Sequence, residues 1–219
     1  MRDAYPVVVF DAFGTLFDVH SAVARNASSI GPAAARLSEI WRAKQLEYSW
    51  TLSLMGRFEP FWALTERALD HALARAPEVD PAMREALLSS YRALDAYPEV
   101  RDTLARLKAR GARTAILSNG DEAMLADAVA AAGLEGALDA VLSVERVGVF
   151  KTDPRTYALV EAEFGCARDE VLFVSSNRWD VAGAVAFGFA SAWCNRAGAP
   201  DEYADLAPSR VVADLSALG

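Results

Sequence analysis

Four separated segments of the chain carry the side chains that could do chemistry. Asp11 and Thr15 flank the turn residue Gly14, directly after the apolar run VVVF. A carboxylate in this setting can act as a nucleophile in covalent catalysis, and a nearby cation would keep it ionised. The other three segments hold the groups that could assist it, which are Ser118 and Asn119 in AILSNG, Lys151 in FKTD, and Ser175, Asn177 and Asp180 in SSNRWD.

These segments follow short apolar runs that are typical of parallel strands covered on both faces. The runs are residues 7–10, 114–117, 140–142, 171–174, 190–194 and 211–213. Helical patterns lie between them, over residues 98–110 and 123–132, and a further helix opens at Asp153-Pro154. Alternating strands and helices predict an α/β fold with a doubly wound parallel sheet of the Rossmann type. Its strand carboxyl ends should bring the polar segments together.

The interval from residue 19 to residue 94 interrupts this alternation, because it shows helical periodicity only. Apolar residues recur at helical spacing, as in Leu37, Trp41, Tyr48, Leu52 and Met55. We therefore predict a core domain formed by residues 1–18 and 95–219 and an inserted helical cap formed by residues 19–94. The cap should stand over the carboxyl ends of the strands.

Composition limits the possible partners and the location of the protein. The net charge of −8 argues against nucleic acid and against an acidic membrane surface, which require clustered Lys and Arg. No apolar run approaches the roughly 20 residues of a membrane span. The first apolar run is too short for a secretory signal, and Cys166 and Cys194 cannot form a disulfide framework and are expected to be buried. We expect a cytoplasmic protein.

The motifs VVVFDAFGTLFD, AILSNG, FKTD and FVSSNRWDVAGA resemble those of the haloacid dehalogenase superfamily in order and spacing. The resemblance covers nearly the whole chain. Phe13, Arg42, Asn119, Tyr157 and the segment SSNRWD make it similar to the L-2-haloacid dehalogenase branch in particular. Phosphatases of the superfamily typically carry an aspartate at the position of Phe13, where it protonates a leaving alcohol. A halide leaves as a stable anion and needs no such acid.

The resemblance implies hydrolysis of short L-2-haloacids to D-2-hydroxy acids and halide through an ester on Asp11, with no cofactor and no metal. It implies that Lys151 orients Asp11, that Ser175, Asn177 and Asp180 position or activate the hydrolytic water, and that Thr15 supports the site. A homodimer is also implied. Arg42 and Asn119 are assigned to the halide, and Ser118 is assigned to the substrate carboxylate. Leu46, Phe61 and Trp179 are assigned to an apolar wall around the substrate. Tyr157 and Ala12 are also assigned to the substrate site.

Two other functions fit the same motifs. One is a magnesium-dependent phosphatase of the superfamily, in which Asp11, the backbone carbonyl of Phe13 and Asp180 hold the ion. The other is a catalytically silent binding module on the same fold.

Single residues also have simpler interpretations. Ser118-Asn119-Gly120 alone is typical of a turn, Arg42 alone of a solvated helix, and Trp50 of the cap core. Trp179 is as consistent with packing as with substrate contact.

Overall fold

The computed structural model describes residues 4–218 and has a six-stranded, fully parallel sheet at its centre. The strands are β1 (Val7–Phe10), β2 (Arg113–Ser118), β3 (Ala140–Ser143), β4 (Val171–Ser175), β5 (Ala190–Cys194) and β6 (Arg210–Val212). Their order is β3-β2-β1-β4-β5-β6. The predicted fold class is confirmed, and residues 1–3 and 219 of the predicted core lie outside the described residues.

Helices cover the sheet because the central strands are apolar on both faces. All residues of β1 and β4 are buried. The helices that alternate with the strands are α6 (Val100–Ala109), α7 (Glu122–Ala131), α8 (Pro154–Phe164) and α9 (Arg178–Phe187). Asp153 caps α8 as expected, since its side chain accepts a hydrogen bond from the backbone of Arg155.

The interval from residue 19 to residue 94 contains helices and no strand, in agreement with its periodicity. They are α1 (Ser21–Ala24), α2 (Ala27–Ile30), α3 (Ala34–Leu54), α4 (Phe61–Ala74) and α5 (Met83–Arg92). Leu37, Trp41 and Leu52 of α3 are buried. Met55 departs from the predicted apolar stripe and is 60% exposed, because α3 ends at Leu54.

Two short stretches of chain, residues 16–18 and residues 95–99, connect this helical segment to the sheet. We call them the first and second crossings, and they are hydrogen-bonded to each other. The backbone NH of Asp18 donates to the carbonyl of Asp95 at 2.8 Å, and the NH of Tyr97 donates to the carbonyl of Leu16 at 3.0 Å. The helical segment is therefore attached immediately beside the turn that follows β1.

Strand β1 lies in the middle of the sheet, and this position decides where the site forms. The chain runs from β1 through β2 to β3 on one side, and β4 then pairs with β1 on the other side. The crevice at such a reversal of strand order is where open α/β sheets bind ligands. None of the helices over residues 4–218 is long and apolar enough to cross a membrane.

Candidate active site

The turn after β1 presents Asp11 at the rim of the sheet. The NH of Asp11 continues the pairing with β4 by donating to the carbonyl of Val174 at 2.9 Å. The carbonyl of Ala12 then accepts the NH groups of the three residues from Thr15 onward. Gly14 has a φ of +95°, a left-handed conformation that favours glycine. The turn brings the Thr15 hydroxyl within 3.3 Å of Asp11 Oδ2.

The two carboxylate oxygens of Asp11 have different surroundings. Within residues 4–218, Oδ2 accepts hydrogen bonds from Asn177 Nδ2 at 2.8 Å, Thr15 Oγ1 at 3.3 Å and Ser175 Oγ at 3.4 Å. Oδ1 has a single partner in the same part of the chain, the ammonium of Lys151 at 3.1 Å. Three donors therefore hold Oδ2, while Oδ1 keeps lone-pair capacity for another atom.

Lys151 connects Asp11 to a second buried carboxylate. Its Nζ lies 2.8 Å from Asp180 Oδ2, and the Tyr157 hydroxyl donates to Asp180 Oδ1 at 2.8 Å. Asp180 and Tyr157 are fully buried, and Lys151 is 1% exposed. The carboxylate of Asp180 is thus held from both sides and faces Lys151.

Burial and neighbouring charges shift the pKa values of Lys151, Asp180 and Tyr157 and so determine which of them are charged. Burial would lower the pKa of Lys151, but the charges of Asp11 and Asp180 outweigh burial and raise it, so the ammonium persists. Burial raises the pKa of Asp180 to about 6; Lys151 opposes this shift and Asp11 adds to it. A raised pKa of Lys151 and a raised pKa of Asp180 are compatible, because the one ammonium of Lys151 faces two carboxylates, those of Asp11 and Asp180. Burial and the Asp180 charge raise the pKa of Tyr157 well above its usual value, so it remains a hydrogen-bond donor.

Asp11 opens onto a small cavity between the sheet rim and the helical segment. The cavity has a volume of about 10 Å³, which is about the space that one water molecule needs. The helical segment contributes Arg42 and Leu46 from α3 and Phe61 from α4. The remaining lining residues are Asp11, Phe13, Ser118, Asn119, Asn177 and Trp179.

Two polar side chains of the cavity are oriented by their own contacts. Arg42 Nη2 donates to the carbonyl of Phe13 at 3.2 Å, which ties the helical segment to the turn after β1. Asn119 Oδ1 accepts the NH of Lys151 at 2.9 Å. Because this oxygen is already used, Nδ2 is the amide atom that Asn119 can offer to a ligand.

The structure gathers the expected residues in two layers around Asp11. Arg42, Leu46, Phe61, Ser118, Asn119, Asn177 and Trp179 line the cavity, as expected for groups that face a ligand. Thr15, Ser175, Lys151 and Asp180 lie behind Asp11 and hold it or hold one another. Asp180 faces Lys151 and Tyr157 rather than the cavity, so any effect on the hydrolytic water would pass through these residues.

Two residues expected to contact substrate do not line the cavity. Tyr157 packs inside the core against Phe173, with ring centroids 5.6 Å apart, and its hydroxyl reaches only Asp180. Ala12 is fully buried, and its carbonyl is used inside the turn. Both side chains therefore lie outside the cavity lining, and Tyr157 supports the site through Asp180.

A second, larger cavity of about 940 Å³ lies on the other side of Trp179. It is bordered by Trp50 of α3 and by residues of α9. Trp50 and Trp179 meet edge to face, with ring centroids 5.4 Å apart. Trp50 is 37% exposed and is therefore not part of the cap core, whereas Trp179 both packs and lines the small cavity. The small cavity is the candidate site because it contains Asp11.

Three supporting residues of the site, Tyr91, Gln45 and Asp121, are not predicted from the sequence. Tyr91 stacks on Phe13 with ring centroids 6.0 Å apart, and its hydroxyl donates to Gln45. Asp121 accepts the backbone NH of Met124, as an N-cap of α7, and also the NH of Trp62 in α4. An N-cap pattern before α7 could have revealed Asp121, whereas no local signal indicates the contacts of Tyr91 and Gln45.

The groups that a magnesium ion would need are occupied by donors. The Phe13 carbonyl accepts from Arg42 at 3.2 Å and from Asn177 at 3.4 Å, and the Asp180 carboxylate accepts from Lys151 and Tyr157. A cation ligated by these oxygens would meet the ammonium of Lys151 at close range. Within residues 4–218, no group of three or more His, Cys, Asp or Glu side chains is arranged to hold a metal ion. The residues present do not fit the magnesium site of a phosphatase.

A parallel sheet that presents a buried aspartate, beside a lysine and beneath a helical segment, defines a Rossmann-like α/β protein with a carboxylate site at its strand ends. A family model for haloacid dehalogenase-like hydrolases matches residues 5–188. The chain belongs to this family, which confirms the superfamily resemblance.

Named relatives lie within the same family. The chain is 46% identical over 209 residues to (S)-2-haloacid dehalogenase 4A of Burkholderia cepacia, and the match covers 95% of this chain and 90% of that protein. A crystal structure of a dehalogenase is 44% identical with a TM-score of 0.95, covering 99% of this chain and 96% of that one. L-2-haloacid dehalogenase of Xanthobacter autotrophicus, with chloropropionic acid covalently bound, is 40% identical with a TM-score of 0.86, covering 96% and 95%.

Proposed function

We propose that the protein hydrolyses short (S)-2-haloacids to (R)-2-hydroxy acids and halide through an ester on Asp11. The observation that carries this proposal is the asymmetric anchoring of a buried carboxylate that opens onto a small cavity lined by both polar and apolar side chains. The names of the relatives support the substrate class, and chloropropionic acid bound covalently to the Xanthobacter enzyme supports an ester intermediate.

Oδ1 of Asp11 makes the attack in this proposal. Oδ2 is held by three donors, whereas Oδ1 contacts only Lys151 and retains a lone pair for the halogen-bearing carbon. The bond from Oδ1 to carbon forms while the carbon-halogen bond breaks, and the electron pair leaves with the halide. Attack from the face opposite the halogen inverts the configuration at that carbon.

Arg42 and Asn119 receive the departing halide. Both line the cavity, and both are hydrogen-bond donors, one of them cationic. Ser118 holds the substrate carboxylate, since it lines the cavity at the end of β2. Leu46, Phe61 and Trp179 exclude bulk water from the reacting carbon.

Water completes the reaction by attacking the carbonyl carbon of the ester. Asn177 positions this water, because it both lines the cavity and contacts Asp11. The hydroxy acid leaves with the original carboxylate oxygen, Asp11 regains one oxygen from water, and one proton is released. Asp180 and Tyr157 act indirectly by fixing Lys151.

Phe13 favours this chemistry over phosphate-ester hydrolysis. Its ring stacks on Phe61 with centroids 6.3 Å apart and offers no proton to a leaving alcohol. A phosphatase would need another acid in the cavity, and Asp11 is the only carboxylate among the cavity-lining residues described here.

A halide-release assay tests the proposal. Both enantiomers of 2-chloropropionate, with chloroacetate alongside, are assayed with and without a metal chelator. We expect chloride from the (S) enantiomer and from chloroacetate, unchanged by chelator. Activity restricted to phosphate esters and lost with chelator would support the magnesium phosphatase instead. Haloacid binding without halide release, left unchanged by Asp11→Asn, would support the catalytically silent binding module.

We further propose the domain organisation, assembly and location expected above. The core comprises residues 1–18 and 95–219, and the cap comprises residues 19–94, in keeping with the paired crossings between them. A homodimer is supported by Leu54 and Met55, which are 88% and 60% exposed beside Trp50. Sedimentation equilibrium tests the dimer. The free thiols Cys166, which is half-buried, and Cys194, which is buried, are compatible with the cytoplasm.

A further inference from the structure

Arg196 lies outside the cavity, in the loop after β5, and the loop holds it in a fixed place. Asn195 and Ala199 exchange two hydrogen bonds of 2.9 Å across this loop. The NH of Asn195 also donates to Val212 of β6 at 2.8 Å. These hydrogen bonds therefore fix the backbone of the loop that carries Arg196.

Three partners of different kinds surround the guanidinium. Its Nη2 donates to the backbone carbonyl of Thr15 at 3.1 Å, and its Nη1 lies 2.6 Å from Glu99. Its central carbon stands 3.7 Å from the centroid of the Tyr97 ring. The side chain is 21% exposed, so these contacts are largely shielded from water.

Thr15 links Arg196 to the nucleophile. Its carbonyl accepts from Arg196, while its fully buried hydroxyl donates to Asp11 Oδ2 and accepts the NH of Ser176 at 2.8 Å. A shift of the Thr15 backbone would change the direction of its hydroxyl. That change would loosen one of the three donors that hold Oδ2.

Arg196 also contacts the second crossing between the helical segment and the core. Tyr97 and Glu99 belong to that crossing, and the NH of Tyr97 donates to the carbonyl of Leu16, the residue after Thr15. Arg196 therefore joins the two chain segments that meet beside the nucleophile turn. Glu99 offsets its charge at close range, so the charge of Arg196 has little effect at Asp11.

We propose that Arg196, held by Glu99 and Tyr97, is a positioning residue for the ester-forming step and acts through Thr15. It fixes the Thr15 backbone so that the Thr15 hydroxyl holds Oδ2 and Oδ1 points at the substrate. Its action is geometric rather than electrostatic. This inference rests on the proposed role of Asp11 as the nucleophile.

Arg196→Met is the first test, because methionine keeps much of the length and loses the hydrogen bonds. We expect the rate of ester formation in single turnover, and kcat with it, to fall about tenfold, because small misplacements of reacting groups are costly. KM should stay within about twofold, since Arg196 does not line the cavity.

Arg168→Met is a matched control elsewhere in the core. Arg168 has the same three kinds of partner, namely the Phe187 ring at 3.9 Å, Glu161 at 3.1 Å and the Phe187 carbonyl at 2.8 Å. Its side chain is 51% exposed, against 21% for Arg196, so its loss should cost less stability, and it should leave kcat within about twofold of the parent. Equal kcat values for the two variants would overturn the proposal.

A double-mutant cycle tests whether the effect passes through Thr15. In a Thr15→Val background the hydroxyl is already absent, so Arg196→Met should lower kcat by no more than about twofold. Fully additive effects would contradict the proposed route.

Arg196→Lys separates geometry from charge and remains informative if the methionine variant does not fold. A compact ammonium cannot reach Glu99 and the Thr15 carbonyl in the same planar arrangement. We expect kcat to stay well below the parent value, and full recovery by lysine would overturn the proposal. Asp11→Asn is assayed alongside: its activity would refute the nucleophile, whereas an inactive Asp11→Asn with a fully active Arg196→Met refutes the positioning role alone.

Discussion

Replacing Lys151 by methionine should make the free energy of unfolding fall as the pH rises from 7 to 9. Lys151 stands 3.1 Å from Asp11 and 2.8 Å from Asp180, with no solvent exposure of its side chain. Methionine has a similar length but no charge. The variant therefore leaves two buried carboxylates close together without a cation, and one of them should keep a proton in the folded state.

The magnitude follows from proton linkage. Burial already raises the pKa of Asp180 to about 6 in the presence of Lys151, and the loss of that cation raises it further. Unfolded aspartate has a pKa of about 3.9, so at pH 7 and above the folded variant binds about one proton more than its unfolded chain. Stability is then lost with rising pH, by about 1.4 kcal/mol per unit and up to about 3 kcal/mol from pH 7 to pH 9.

Urea unfolding at pH 7, 8 and 9 measures this dependence. The parent protein provides the reference, because its Asp180 is already mostly ionised above pH 7. Lys108→Met is the matched control: Lys108 pairs with Asp139 at 3.2 Å, but both side chains are about one third exposed. We expect no new pH slope for the control. A Lys151→Met variant whose pH slope equals that of the parent would refute the assignment of charges in the site.

Three further predictions concern single side chains. Because the pKa of Asp180 is raised to about 6, we expect kcat to fall below about pH 6 as Asp180 is protonated. Tyr157→Phe removes a donor that lowers this pKa, so this acid limb should move to higher pH, and an unmoved limb would show that it does not report Asp180. Leu46→Ala enlarges the cavity, so kcat/KM for 2-chlorobutyrate should rise relative to kcat/KM for 2-chloropropionate. An unchanged ratio of these two values would contradict the role of Leu46 as a wall of the substrate site. Gly120→Ala should destabilise the protein by about 2 kcal/mol in urea, since its Cβ would lie 2.6 Å from the Phe13 ring; unchanged stability would show that the ring relaxes.

Local pattern predicts the sheet well because each strand is a short apolar run between turn residues. β1 and β5 have the predicted bounds, 7–10 and 190–194, and the ends of the other strands agree within about one residue. The end of α3 is harder to predict from the sequence, because the apolar stripe continues to Met55 while the helix ends at Leu54. Periodicity alone does not mark where a helix ends.

The core side of the site could also be predicted, since the carboxyl ends of parallel strands bring Asp11, Ser118 and Ser175 to one rim. The helical side depended on the family resemblance. Nothing in the local sequence around Arg42 indicates that α3 would bring it to the carbonyl of Phe13. Contacts of this kind arise from tertiary packing between distant segments, as does the hydrogen bond from the Tyr157 hydroxyl to Asp180.

Single turnover in water enriched in oxygen-18 tests the central claim most directly. Enzyme in excess over (S)-2-chloropropionate completes one reaction, and the peptide that contains Asp11 is then weighed by mass spectrometry. We predict one labelled oxygen in the Asp11 carboxylate and none in the hydroxy acid, because water attacks the ester carbonyl. Label in the product alone would show that water attacks the substrate carbon directly, and would contradict an ester on Asp11.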